Sequence, residues 1–256
     1  MSLITVKAAF HLMISNPTLC ALQFSYEERS FEANFETLKT LLLATPPHSI
    51  SLAPELCLSG YSYEHIEEAA LFSQTIFPEL LSLSSKRTFG LTMIERHEHG
   101  YHNTFHLFHE GKCLYSRPKA KLFPLGDEEK HFIAGKTEEI AFFELNGIKI
   151  AVLICFEVRF PHLWEQIKGA DLILVPAYWG SIRKKHLEIL TDALAVANQA
   201  YIICANSADK TMAKSSAIIT PWGERIGNDL ASCITHLYDP LEIKKMRRYL
   251  NIGMNV

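Results

Sequence analysis

A cysteine at the end of an apolar run is the strongest candidate for chemistry in this chain. Residues 150–154 are all apolar, Cys155 follows them, and residues 156–161 bring charged side chains and a proline before a helical pattern. A strand, an abrupt turn and a helix in this order lift a nucleophile out of a sheet, and helix amides favour a thiolate. We therefore interpret Cys155 as a catalytic nucleophile, although a buried structural cysteine at a strand end has the same local pattern.

Two kinds of charged residue stand beside extended runs elsewhere in the chain. Glu55 follows the strand-like residues 49–53 and Pro54, and ligand sites in layered α/β folds gather at the ends of strands. Lys119 and Lys121 share one face of an extended run. Taken alone, Glu55 also fits an ordinary solvated loop, and the two lysines also fit a basic surface strand.

The histidine-rich segment His97–His109 offers a different kind of site. It holds five histidines, and His102 and His106 would share one face of a strand. Imidazoles gathered on one face suit a transition metal. Gly100, however, lies between apolar runs as at the tip of a hairpin, where solvated histidines are commoner. We predict no metal site, and a histidine-rich metal-binding protein is kept as an alternative.

The elements that must position these residues are mostly strand-like. Helical spacing of apolar residues marks Glu27–Ala44 and Arg183–Gln199, and Asn146-Gly147 is a two-residue hairpin signal. Strands joined partly by helices and partly by hairpins predict mixed sheets covered by helices, in a single domain over residues 1–256. Strand-like runs occur at residues 4–10, 49–53, 88–94, 104–108, 139–145, 148–154, 171–175, 201–205, 217–220 and 232–238.

The composition restricts the class of partner. The net charge of -3 and the absence of a basic cluster interleaved with aromatics argue against nucleic acid. No apolar run approaches the ~20 residues that cross a bilayer, and the amino terminus lacks the pattern of a signal peptide. The six cysteines are scattered without a CxxC pair, which predicts reduced thiols in a cytoplasmic protein.

Together the charged residues and the cysteine carry a family resemblance. The chain resembles the nitrilase, or carbon–nitrogen hydrolase, superfamily, whose members carry a Glu–Lys–Cys triad in that chain order. Pro54-Glu55 with Gly60-Tyr61 is similar to its first motif, and residues 154–161 closely match its cysteine motif. Lys119 matches the lysine motif more loosely, and the separations of 64 (119 − 55) and 36 (155 − 119) suit the family.

The resemblance implies a mechanism without a cofactor. Cys155 would attack an amide or nitrile carbon to form a thioester, and Glu55 would move the protons. Lys119 and the backbone amide of Phe156 would stabilise the oxyanion. Glu128 would orient Lys119, although Glu129 is an alternative for that role.

The resemblance also implies the architecture and the type of partner. The implied fold is α/β, a four-layer α-β-β-α sandwich with two sheets face to face between helices, and the implied assembly is a homodimer or larger homo-oligomer. The implied substrate is a small linear ω-amide or N-carbamoyl compound. Arg159 is a candidate for binding a substrate carboxylate, or else a structural partner of a nearby acidic residue. Tyr178 and Trp179 are candidate walls of a compact pocket.

Some positions depart from the family pattern. Phe156 replaces the usual Tyr or Trp after the cysteine, and Asp192, Leu194 and Ala197 stand where the late helix usually carries Arg or Glu. None of these positions belongs to the triad, so hydrolysis remains the prediction. The remaining alternative is a catalytically silent or regulatory protein on the same fold.

Overall fold

Within residues 16–253, the part of the chain that the computed structural model describes, two mixed sheets of six strands each form the centre of the molecule. The predicted strand at residues 4–10 lies outside these residues. The strands are β1 Thr18–Leu22, β2 Ile50–Leu52, β3 Thr88–His97, β4 Gly100–His109, β5 Lys112–Pro118, β6 Phe143–Leu145, β7 Ile148–Val152, β8 Leu172–Ala177, β9 Tyr201–Asn206, β10 Ala217–Ile219, β11 Arg225–Gly227 and β12 Cys233–Leu237.

Both sheets have parallel strands in the middle and antiparallel strands outside. The first has the order β12-β1-β2-β3-β4-β5, and β2 is parallel to both of its neighbours. The second has the order β11-β10-β9-β8-β7-β6, and β8 is parallel to both of its neighbours. The predicted mixed sheets are therefore confirmed.

Six helices surround the sheets within the described residues. They are α1 Phe31–Ala44, α2 Ile66–Leu83, α3 Glu128–His131, α4 Pro161–Gln166, α5 Lys184–Asn198 and α6 Pro240–Tyr249. Helices α1 and α2 pack on the outer face of the first sheet, where Phe35, Leu38 and Leu80 meet Phe89 and Phe108. Helix α5 packs on β9 and β10 of the second sheet. The predicted four layers are present.

The inner faces of the two sheets supply the main core. Leu19, Leu52 and Phe105 of the first sheet join Ile150 and Ile173 of the second in one cluster of buried side chains. Side chains on alternate strand positions turn to the other face of each sheet, which is why both faces of these strands are apolar. No helix among the described residues is long and apolar enough to cross a membrane.

Some predicted boundaries were wrong. Helix α1 begins at Phe31 and not at Glu27, because the Ser30 side chain accepts a hydrogen bond from the Ala33 amide and caps the helix there. The predicted strand 139–145 is reduced to β6, since residues 137–139 form a 3₁₀ turn. Helices α2 and α6 were not predicted, and α2 contains Pro78, a residue that normally ends a helix.

Two predicted hairpins are present. Asn146 and Gly147 both have positive φ angles, 51° and 79°, and join β6 to β7 in a tight antiparallel turn. The histidine-rich segment forms the β3–β4 hairpin, and Gly100 is the first residue after its turn. The first of these hairpins sets the start of the strand that leads to Cys155.

The strand ends that carry the candidate residues lie together. The Glu55 amide, after β2, donates a 3.2 Å hydrogen bond to the Ala177 carbonyl at the end of β8, so the two sheets are joined at this point. Cys155 follows β7, the strand next to β8. A larger cavity of about 520 Å³ lies at the opposite end, beside Ile50 and Ile148, and none of the candidate residues lines it.

Candidate active site

Cys155 sits in a sharp turn directly after β7. Its backbone is left-handed, with φ of 48°, and residues Cys155–Arg159 form one 3₁₀ turn before α4. This is the strand, turn and helix order that the sequence predicted. The left-handed conformation is uncommon for a residue with a side chain and often marks functional sites.

A buried ion pair fixes this turn. Glu157 and Arg117 form a bidentate salt bridge. Glu157 also accepts hydrogen bonds from the backbone amides of Ile154 (2.6 Å) and Ala120 (2.7 Å). One carboxylate therefore ties the cysteine turn to the segment that carries Lys119. The sequence did not predict this pair. Its only local signal is a charged residue, Glu157, in the turn that follows the apolar strand β7.

Lys119 lies fully buried between two carboxylates. Its Nζ is 2.8 Å from Oε1 of Glu55 and 2.8 Å from Oε1 of Glu128, and both glutamates are buried. Glu129, the alternative to Glu128, is exposed. The structure therefore brings Glu55, Lys119 and Glu128 together, and it is Glu128 that braces the lysine.

The two carboxylate oxygens of Glu55 have different surroundings. Oε1 accepts hydrogen bonds from Lys119 and from Nδ2 of Asn103 at 2.9 Å. Oε2 is buried and has no hydrogen-bond partner among the described residues. A buried carboxylate oxygen without a partner is costly in a purely structural site. Oε2 is thus an acceptor held ready for a proton or a ligand.

The charges of the cluster shift one another's ionisation. Burial raises the pKa of the Cys155 thiol well above its usual value, and the Glu55 charge raises it further, while Lys119 opposes both. Burial alone would lower the pKa of Lys119, but Glu55 and its other anionic neighbours raise it. Burial also raises the pKa of Glu128. The sequence predicted that helix amides would favour the thiolate, but burial and the Glu55 charge disfavour it here. Ionisation of Cys155 would therefore need a base to accept its proton.

Replacing Lys119 by methionine should lower the free energy of unfolding of the protein. The change leaves two buried carboxylates without their cation, which costs about 3–5 kcal/mol of the free energy of unfolding. The measurement is urea denaturation at neutral pH. Unpaired buried carboxylates bind protons more tightly when folded than when unfolded, so the deficit should shrink as the pH falls towards 5.

Lys130→Met is the matched control for this prediction. Lys130 forms an exposed pair with Asp127 at 2.8 Å, and its loss should change the free energy of unfolding by about 0.5 kcal/mol or less. Equal losses in the two variants, or a Lys119→Met deficit that does not depend on pH, would contradict the buried-charge explanation.

Aromatic and cationic side chains surround the thiol. The guanidinium of Arg159 lies 4.5 Å from the Trp179 ring, and the Tyr178 hydroxyl donates a hydrogen bond to Glu27. The cavity beside Cys155 measures about 20 Å³, roughly the room that one water needs. A substrate would therefore have to displace the half-exposed side chains at its mouth. The lining residues are Phe123, Cys155, Phe156, Arg159, Tyr178, Trp179 and Arg183.

The histidine-rich hairpin forms a separate cluster. His106 is buried, with Nε2 3.1 Å from Glu95 and Nδ1 3.6 Å from the Cys113 sulfur. Burial opposes its protonation, but the contacts with Cys113 and Glu95 raise the pKa of His106 to about 9. His102 instead contacts the Ile133 carbonyl. Within residues 16–253 no group of three or more His, Cys, Asp or Glu side chains is arranged to hold a metal ion.

Comparison with known sequences identifies relatives that share most of the chain. A family model described as carbon-nitrogen hydrolase matches residues 18–232. The 2-oxoglutaramate amidase of Bacillus subtilis is 28% identical over 219 residues, which cover 80% of this chain and 83% of that protein. Omega-amidase YafV of Escherichia coli K12 is 27% identical over 225 residues, with 85% and 86% covered.

Solved structures show the same fold. A CN-hydrolase superfamily protein from Xanthomonas campestris superimposes with a TM-score of 0.82 at 21% identity, covering 92% of this chain and 95% of that one. An amidase from Nesterenkonia gives a TM-score of 0.78 at 19% identity, with 92% and 95% covered. At these identities the likeness carries the fold, and the chemistry has to be argued from the residues.

Proposed function

The chain belongs to the carbon-nitrogen hydrolase family, whose members cleave carbon–nitrogen bonds other than peptide bonds, and from this premise we propose that it is a thiol ω-amidase. It releases ammonia from the terminal amide of a short acid through a thioester on Cys155. Glu55 is the general base and acid, and Lys119 is the catalytic cation. Glu128 positions Lys119.

The observation that carries this proposal is the free Oε2 of Glu55. Lys119 and Asn103 hold Oε1, so the base has a fixed orientation and one acceptor left over. The thiol lies near enough for the Glu55 charge to raise its pKa. A carboxylate with a free acceptor oxygen, close to a thiol whose pKa is raised, is the arrangement that general-base activation of a nucleophile requires.

The reaction proceeds in two halves. The Cys155 sulfur attacks the amide carbon while Oε2 of Glu55 takes the thiol proton. The same proton then passes to the amide nitrogen, the carbon–nitrogen bond breaks, and ammonia leaves. In the second half Glu55 takes a proton from water, the oxygen attacks the thioester carbon, and the returned proton restores the thiol as the acid product leaves.

The negative oxygen formed in each half needs donors. The negative charges of Glu55 and Glu128 raise the pKa of Lys119 and so stabilise its cationic form. Its Nζ lies in the same buried cluster as the thiol. The Phe156 amide, directly after the nucleophile, donates to no acceptor among the described residues. Fixed donors in a dry site supply much of the rate acceleration in acyl transfer.

The choice of an ω-amide over an N-carbamoyl compound rests on two observations. The relatives described above include a 2-oxoglutaramate amidase and an omega-amidase. Arg159 lies at the cavity mouth and has no carboxylate within 4.0 Å in the described part of the chain, so it is available to a substrate carboxylate. For this reason the proposal gives Arg159 the role of binding substrate and not that of a structural partner for an acidic residue.

The test is ammonia release from a substrate panel of 2-oxoglutaramate, succinamate, N-carbamoyl-β-alanine and a short nitrile. We expect the two ω-amides to have the highest kcat/KM, by about tenfold or more over the others, with no effect of a chelator. N-carbamoyl-β-alanine as the best substrate would replace the ω-amidase proposal by a carbamoylase. No release from any compound would favour the silent or regulatory protein.

A further inference from the structure

Arg183 is a second cation at the mouth of the cavity, and the proposed reaction does not use it. It ends a 3₁₀ turn, Ser181–Arg183, that leads into α5. Its guanidinium lies 5.1 Å from the ring of Phe123. Arg183, Phe123 and Arg159 line the same cavity as Cys155. Two guanidinium groups therefore stand at one small opening, each over the ring of a different aromatic side chain.

Neither guanidinium has a counter-charge in the described part of the chain. No carboxylate of residues 16–253 lies within 4.0 Å of Arg159 or Arg183, and the polar contact of Arg159 is with the His186 ring at 3.2 Å. Arg117, Arg225 and Arg247 are buried or half-buried and each has a carboxylate partner. Among the half-buried and buried arginines of the described residues, Arg87 beside the larger cavity also lacks one, so what distinguishes the mouth beside Cys155 is that two such arginines share it.

The two like charges also interact with each other. Burial, and then the charge of Arg183, lower the pKa of Arg159, and the Cys155 anion would act in the opposite direction. Repulsion between neighbouring cations is relieved when an anion binds between them. Stacking on a ring covers the face of a guanidinium but leaves its in-plane N–H groups free for a bidentate acceptor.

We infer that Arg183 is a specificity-determining residue, which with Arg159 forms a two-guanidinium subsite for the carboxylate end of the substrate. The inference rests on the proposed ω-amidase function and assigns the tail that this site selects. Tails with a net negative charge are favoured. A tail with an α-ammonium group is disfavoured, because a third positive charge would enter a mouth that already holds two.

The amide of a 2-oxo acid and the amide of the matching amino acid separate these tails. 2-Oxoglutaramate and glutamine have the same length and the same ω-amide, and differ in an oxo group against an ammonium group. Butyramide supplies a neutral tail of the length of succinamate. The same amide bond is hydrolysed in all four compounds. Differences in activity between them therefore report the effect of the charge on the tail.

Arg183→Ala should lower kcat/KM for succinamate and 2-oxoglutaramate by a factor of about 10–100, mostly through KM, since a charge-assisted contact is lost. Activity towards butyramide should stay within about twofold of the wild type. The preference for 2-oxoglutaramate over glutamine should shrink. Arg183→Lys should recover part of the loss because it restores the charge without the planar fork.

Lys185→Ala is the matched control. Lys185 is exposed, lies two residues further along the chain at the start of α5 and does not line the cavity. Its loss should leave the ratio of succinamate to butyramide activity unchanged. A similar ratio change in both variants would reduce the effect to general surface charge and overturn the inference.

The outcomes separate this inference from the proposed function. If the wild-type protein hydrolyses none of the four amides, the proposed function itself is overturned. Wild-type activity with an unchanged substrate ratio in Arg183→Ala leaves the amidase standing and overturns the role of Arg183. An equal loss towards charged and neutral amides assigns Arg183 to the shape of the site, which also overturns the inference.

Discussion

Replacing Cys155 by alanine should lower ammonia release on the order of 10⁶-fold, the scale expected when a covalent nucleophile is removed. The whole first half of the reaction is lost, because Glu55 has no thiol proton to accept and the amide carbon has no sulfur to meet. The measurement is kcat with the best ω-amide of the panel. Mass spectrometry of wild-type protein quenched during turnover should in addition show the acyl adduct on the Cys155 peptide.

Cys113→Ser is the control for this change. Cys113 is half-buried on β5, outside the site, and its contact with His106 can be kept by a hydroxyl. That variant should retain the activity of the wild type within about twofold. An active Cys155→Ala protein with normal folding would mean that another group attacks the amide, and the assignment of the nucleophile would be wrong.

Replacing Glu55 by glutamine should lower kcat by roughly 10²–10⁴-fold, the usual contribution of a general base. The amide oxygen of glutamine can still accept from Lys119 and Asn103, so the geometry of the cluster is largely kept. What disappears is the free anionic acceptor at Oε2. Glu129→Gln, an exposed carboxylate next to the cluster, is the matched control and should leave kcat near that of the wild type.

The same variant has a second readout with a fixed sign. Burial raises the pKa of Cys155, and the negative charge of Glu55 raises it further. Without that charge the thiol ionises at lower pH, so alkylation of Cys155 by iodoacetamide should reach its plateau at lower pH in Glu55→Gln than in the wild type. A variant that becomes less reactive in turnover yet ionises more easily is expected only if Glu55 acts both as base and as neighbouring charge. An alkylation profile that moves to higher pH would sink this interpretation.

The sequence predicted the members of the cluster because their motifs, taken together and in order, resemble those of a known family; alone, the motifs of Glu55 and Lys119 also fit a solvated loop and a basic surface strand. Glu55, Lys119 and Cys155 are far apart in the chain, and the structure brings Glu55 and Lys119 into direct contact and places Cys155 in the same buried cluster. Their catalytic roles, like the implied homo-oligomer, remain predictions. Sequence alone could not tell which of the two adjacent glutamates, Glu128 or Glu129, is buried. The 3₁₀ turn before α3 sets the direction of the helix and so decides which side chain faces the interior.

Features that depend on tertiary contacts escaped the sequence analysis. The ion pair of Arg117 and Glu157 joins residues 40 positions apart, and the position of Glu157 after an apolar strand does not reveal its partner. Arg183 lies just before a helix, where a basic residue is ordinarily solvated, and the role proposed for it depends on its contact with the Phe123 ring and on the lack of a counter-charge among the described residues. Helix α2 was missed because local propensity at Pro78 pointed the other way, and packing on β3 outweighs it.

The hydrogen bond between the Glu55 amide and the Ala177 carbonyl joins the two sheets at the candidate active site. Glu55 follows a strand of the first sheet, yet its backbone is hydrogen-bonded to the last residue of β8 in the second sheet, and β8 is the neighbour of the strand that Cys155 follows. The candidate base and the candidate nucleophile are therefore both attached to the second sheet. Their relative position depends on one layer of the sandwich and not on the packing between two.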